Sequence, residues 1–91
     1  MKKTLKIEVF GRVQMVGFRW FSQREARRLN IKGNVKNTNR DTVLIIATGE
    51  SDKLDLFNSQ IKKGPISANV TNIIKEEIQE EKVYSTFDII G

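Results

Sequence analysis

Between Leu5 and Leu29 the spacing of apolar residues changes from two to about 3.6. The change is made within nine residues, Gly11-Arg12-Val13-Gln14-Met15-Val16-Gly17-Phe18-Arg19. Before this stretch, Leu5, Ile7 and Val9 alternate with Lys6 and Glu8, which predicts a strand with one buried face ending at Phe10. After it, Phe18, Phe21, Ser22, Ala26 and Leu29 share one helical face, and Trp20, Gln23, Arg24, Arg27 and Arg28 share the other. Glu25 falls inside the apolar arc and reads as a carboxylate at its edge, paired with a nearby arginine or capping a backbone group.

A turn framed by glycines escapes the usual φ restriction, so the residues between Gly11 and Gly17 are free to curl their N–H groups inward as an anion nest. Phe18 and Arg19 then open a helix, whose first-turn N–H groups and positive dipole end also favour an anion. A cation in that first turn is disfavoured by the dipole, and Arg19 is easier to understand with a phosphate-like group beside it. Spacing by itself fits an ordinary strand-to-helix turn with a solvated arginine equally well.

Composition narrows the chemistry. The 91 residues include no cysteine and no histidine, which removes thiolate nucleophiles, disulfides, imidazole bases and the common zinc ligand sets. Length and composition are read as one small domain over residues 1–91, and the charge is divided unevenly along it. Residues 1–40 carry eleven Lys and Arg against two acids, whereas residues 41–91 carry five against nine. The glycine-framed stretch lies in the basic half, which would draw in anionic ligands. Lys6 and Glu8 interrupt the apolar residues that follow Lys2 and Lys3, so no signal peptide or membrane span is predicted and a cytoplasmic location is expected.

Farther along, Asn30 suits a left-handed helix end, and Ile31, Gly33 and Val35 begin a second alternating run. Asn37 to Thr42 reads as a turn, and Val43 to Thr48 as a strand covered on both faces. Ser51 is a suitable N-cap for a helix whose stripe is Leu54, Phe57 and Ile61 and whose stop is Gly64-Pro65. Asn69 to Ile78 is predicted as an edge strand. The acids Glu76, Glu77, Glu80 and Glu81 read as a solvated run that discourages aggregation, with no metal role expected. Tyr84 to Ile90 is predicted as a last short strand with Phe87 and Ile89 on one side. This order predicts an α+β fold, the ferredoxin-like split βαβ sandwich, with two helices on one face of a four- to five-stranded antiparallel sheet.

In this order, Val9-Phe10-Gly11-Arg12-Val13-Gln14 and Val16-Gly17-Phe18-Arg19 closely resemble the signature of the acylphosphatase family. The resemblance continues through Glu25-Ala26 and into Gly33, Val35, Lys36, Asn37 and Thr38. It implies hydrolysis of a small-molecule acyl phosphate to a carboxylate and inorganic phosphate. It further implies that the loop backbone from Gly11 through Arg12, Val13, Gln14, Met15, Val16 and Gly17 to Phe18 binds the phosphate together with Arg19, and that Asn37 orients the attacking water. Without the family, Asn37 would read only as a turn former. The leaving group is a stable carboxylate and needs no general acid, so the missing histidine is no obstacle, and neither a cofactor nor a metal is expected. A monomer acting without membrane or nucleic-acid partners is expected.

Three positions depart from the family pattern. Met15 replaces the usual glycine, Asn34 stands where an aromatic residue is common, and Asp41 stands near the usual hairpin glycine. If the backbone at Met15 requires positive φ, the side chain costs about 1–2 kcal/mol there. The competing reading is a non-catalytic phosphate- or RNA-binding module, suggested by the basic half and by Trp20 among the helix arginines. The RNP1-type aromatic pattern of RNA-binding sheets is missing from the strands.

Overall fold

The computed structural model describes all residues 1–91. The elements follow in the order β1 (Lys2–Arg12), α1 (Phe18–Arg28), β2 (Lys32–Asn37), β3 (Val43–Glu50), α2 (Ser51–Lys63), β4 (Asn69–Ile78) and β5 (Phe87–Ile89). They form one five-stranded sheet in the order β4-β1-β3-β2-β5. Both helices cover one face, as the ferredoxin-like reading expects: α1 packs on β2, β3 and β5, and α2 on β3 and β4. No helix is long and apolar enough to cross a membrane.

The period-two pattern places the core. Leu5, Ile7 and Val9 of β1, Val35 of β2, and Val43, Ile45 and Ala47 of β3 point toward the helices and are buried. They meet Phe18, Phe21 and Ala26 of α1 and Leu54, Phe57 and Ile61 of α2 in a single cluster. On the opposite face Lys6 is exposed and Glu8, Leu44 and Ile46 are half-buried. The expectation that Val43 to Thr48 is covered on both faces is therefore corrected. A two-layer sandwich has nothing to pack on the second face, so only alternate β3 residues are sealed from water. Glu25 sits where the helical arc predicts, with Arg28 Nη2 donating to its Oε1 at 2.8 Å.

The fold departs from the sequence reading in three further places. First, β5 pairs in parallel with β2, Gly33 opposite Phe87 and Val35 opposite Ile89, which makes the sheet mixed rather than wholly antiparallel. Only three residues pair, fewer than the Tyr84–Ile90 span anticipated, and Phe87 anchors them. Its ring is buried and meets Phe57 edge-on with centroids 6.1 Å apart. Second, Ser51 is the first helical residue of α2 and not its side-chain cap. Its hydroxyl donates instead to the Met1 carbonyl at 2.8 Å, tying the start of β1 to the start of α2. Third, β1 runs to Arg12, because its far end continues to pair with β4 after its pairing with β3 stops at Val9.

Gly11 owes its identity to that extension. The β1–β4 register shifts between Phe10 and Gly11, and Gly11 has φ 122°. A Cβ there would strike the carbonyl oxygen of Asn69. The glycine serves a β-bulge that turns the strand end toward the helix, and it is not itself the curled start of a loop.

Candidate active site

The connection between β1 and α1 is consequently five residues long, Val13 to Gly17. Side chains fasten it from below: Val13 and Phe18 are buried in the core, and Val16 packs against it. Gly17 takes φ 79° and caps α1 with no side-chain hydrogen bond, so the chain enters the helix through a left-handed residue. Gln14 fastens the loop sideways. Its Nε2 donates to the carbonyls of Thr38 and Thr42, both at 2.9 Å, and so locks the loop to the β2–β3 hairpin. Replacing it by leucine leaves the Thr38 carbonyl without that donor while the Thr42 carbonyl keeps the Thr38 N–H, and Gln14→Leu is expected to cost about 1–2 kcal/mol in denaturant unfolding.

With its side chains committed in this way, the loop leaves its main-chain donors free. No N–H from Val13 through Trp20 donates to an acceptor in the protein, the first such bond being Phe21 N–H to the Gly17 carbonyl at 3.0 Å. Gly11 and Arg12 lie in β1 and are outside this row. The row includes the orphan donors of the α1 first turn and the partial positive charge of the helix end.

Arg19 stands in that first turn and pairs with no aspartate or glutamate, whereas Arg24, Arg28 and Arg40 each do. One of its donors is used: Nη1 reaches the Gly91 main-chain oxygen at 2.6 Å. The same oxygen accepts the Asn37 main-chain N–H at 3.0 Å. Arg19 and Asn37, separated by seventeen residues in the chain, thus converge on one atom. Asn37 is the last residue of β2, and its side-chain Oδ1 is buried without a hydrogen-bond partner. Buried acceptors are rarely left unpaired, and the Asn58 Oδ1 is the other side-chain atom in that state.

The hairpin that carries Asn37 is braced by hydrogen bonds. Thr38 Oγ1 lies 2.6 Å from Thr42 Oγ1, the Thr38 N–H donates to the Thr42 carbonyl at 2.9 Å, and Glu8 Oε2 accepts from both Thr42 Oγ1 and Arg40 Nη2 at 2.7 Å. Asp41 takes the left-handed φ of 64° that its position near the usual glycine calls for, a conformation aspartate tolerates.

Met15 also has positive φ, 62°, so the backbone keeps the conformation a glycine would take. The side chain is thrown outward and is 98% exposed, which leaves the loop interior unfilled. Removing the strain and subtracting the extra unfolded-state entropy of glycine, Met15→Gly is expected to stabilise the fold by about 0.5–1 kcal/mol. A thermal melt reads this as a rise of a few degrees, and a fall would contradict the strain argument.

Beside the loop lies a cavity of about 210 Å³. Val13, Met15, Gly17, Phe18, Arg19, Trp20 and Ile89 line it. Sequence reasoning named the loop, Arg19 and Asn37 as candidates, and did not name the Gln14 tether, the Gly91 oxygen or the place of Ile89. The last two depend on the parallel β5 pairing, which leaves no local signal.

A family model described as Acylphosphatase matches residues 5–89. A protein named Acylphosphatase from Thermotoga petrophila is 45% identical over 96% of this chain and 96% of its own. Another of that name from Actinobacillus succinogenes is 41% identical, over 89% of this chain and 90% of its own. The crystal structure of acylphosphatase from Bacillus subtilis superposes with a TM-score of 0.94 at 36% identity, covering 100% of both chains.

Proposed function

The chain belongs to the acylphosphatase family, and from that membership and the site geometry we propose that it hydrolyses acyl phosphates to a carboxylate and inorganic phosphate, with Arg19 and Asn37 as the catalytic residues. The observation that carries the reading is the unbroken run of free N–H donors from Val13 to Trp20, ending on a guanidinium without an aspartate or glutamate partner. A phosphoryl dianion supplies the acceptors that this run lacks. The main-chain donors take its non-bridging oxygens, and the remaining N–H groups of Arg19 add a planar, permanently charged contact.

Such a set stabilises the charge spread over the equatorial oxygens of a metaphosphate-like transition state. Asn37 supplies the water. Its Oδ1, free and buried, accepts one water O–H and turns a lone pair of that water toward phosphorus. The water oxygen–phosphorus bond forms while the phosphorus–acyl oxygen bond breaks, and the acyl oxygen leaves with the electron pair as a carboxylate. A carboxamide is too weak a base to hold the water proton, so that proton passes to a non-bridging phosphoryl oxygen. The products are carboxylate and dihydrogen phosphate, with charge balanced. The Gly91 oxygen holds Nη1 of Arg19 and the Asn37 backbone together, which sets the fork against the water position before substrate arrives.

The test is phosphate release from acetyl and benzoyl phosphate by the purified protein. A rate no faster than buffer sinks the reading and leaves phosphate binding without turnover, the competing role.

A further inference from the structure

Met15, Trp20 and Ile89 come from three separate elements, yet all three line the cavity beside the loop, and they are 98%, 59% and 41% exposed. Trp20 and Ile89 are held in place. The left-handed backbone at Met15 directs its side chain outward. The Trp20 ring carries the Arg24 guanidinium 4.8 Å from its centroid. Ile89 is fixed by its pairing with Val35, and the next residue donates its N–H to the Val35 carbonyl at 3.0 Å. Large apolar side chains held in water around one opening gain free energy when an apolar group covers them.

The cavity is continuous with the phosphate loop, since Val13, Gly17 and Arg19 belong to both. Asn37 does not line it. In-line displacement sets the leaving oxygen opposite the attacking water, so a phosphoryl group held by the loop with water at Asn37 sends its acyl oxygen away from Asn37. The acyl substituent then has this apolar wall beside it. A lone methyl meets little of the wall, whereas an arene or a branched chain spans it.

We propose that Met15, Trp20 and Ile89 form an acyl subsite that selects acyl phosphates with bulky apolar substituents over acetyl phosphate. The proposal rests on the acyl phosphate reading above. The contact with the wall is made equally in the ground state and the transition state, so it lowers KM for such substrates and leaves kcat to the phosphate machinery.

The experiment compares kcat/KM for benzoyl and acetyl phosphate in the wild type, Trp20→Ala and Ile89→Ala, with competitive inhibition by inorganic phosphate measured on each protein. The benzoyl-to-acetyl ratio is expected to fall by about tenfold in Trp20→Ala and by about threefold in Ile89→Ala, through a raised KM for benzoyl phosphate. The inhibition constant for inorganic phosphate, which reports a folded loop without an acyl group, is expected to hold its wild-type value. An unchanged ratio in both variants overturns the subsite while leaving the hydrolase reading in place. A fall in the ratio matched by an equal weakening of phosphate inhibition also overturns it, because the site as a whole would then have been disturbed. A wild type that hydrolyses neither acyl phosphate overturns the hydrolase reading and the subsite together.

Discussion

Arg19→Ala is expected to lower kcat/KM for benzoyl phosphate by about a thousandfold, with inorganic phosphate inhibition weakened alongside it. The size follows from what the side chain faces. A guanidinium with no aspartate or glutamate partner, set in the first turn of α1 among free N–H donors, places a full positive charge within the proposed phosphate site. Neutral N–H groups remain after truncation and retain part of the binding, which is why the loss is not total. Stability changes little, since the hydrogen bond to the Gly91 oxygen is exposed. Arg19→Lys separates charge from geometry: it keeps the cation and loses the fork, and recovery of about a tenth to a hundredth of wild-type activity is expected. The measurement is steady-state kinetics with both acyl phosphates. A loss below tenfold in Arg19→Ala would remove Arg19 from the catalytic role.

How far this site was visible in the chain depends on how local each part is. The strand-to-helix switch, the left-handed Gly17 and the arginine of the first turn all follow from neighbouring residues, and the structure keeps them where spacing puts them. The core faces of β1, α1 and α2 follow from simple periods for the same reason. Gly11 shows the limit of such reading. A glycine at a loop boundary suggests a curled loop, but its φ answers to a β-bulge against Asn69 on a strand almost sixty residues away. Asn37 had no local signature beyond that of a turn former, and the family resemblance singled it out.

The Gly91 contact was invisible because it depends on two long-range features, the packing of Phe87 on Phe57 and the parallel pairing of β5 with β2, which bring Gly91 to Arg19. Neither of these leaves a pattern in the residues near Arg19. Met15 was legible in part. The sequence shows the substitution for glycine, while only the backbone shows that the left-handed conformation is kept and that the side chain stands at the rim.

Asn37→Ala is expected to lower kcat by about a hundredfold while inorganic phosphate still inhibits, the opposite split from Arg19→Ala. The proposed phosphate ligands lie in the loop and at Arg19, so binding is expected to survive when the proposed orienting acceptor is removed. Stability supplies the second readout. An Oδ1 buried without a partner is a cost to the ligand-free fold, and deleting it is expected to leave the protein as stable as the wild type or up to about 1 kcal/mol more stable. The Asn37 backbone N–H, which holds the Gly91 oxygen, is untouched by the substitution. Asn37→Asp serves as the companion variant. It keeps the shape and the acceptor but brings a negative charge beside the phosphoryl dianion, so weaker phosphate inhibition is expected in addition to the loss of rate. A purely structural asparagine would give the reverse pattern in Asn37→Ala, with stability and kcat falling together. Lost rate with retained stability therefore identifies a residue kept for the water it holds.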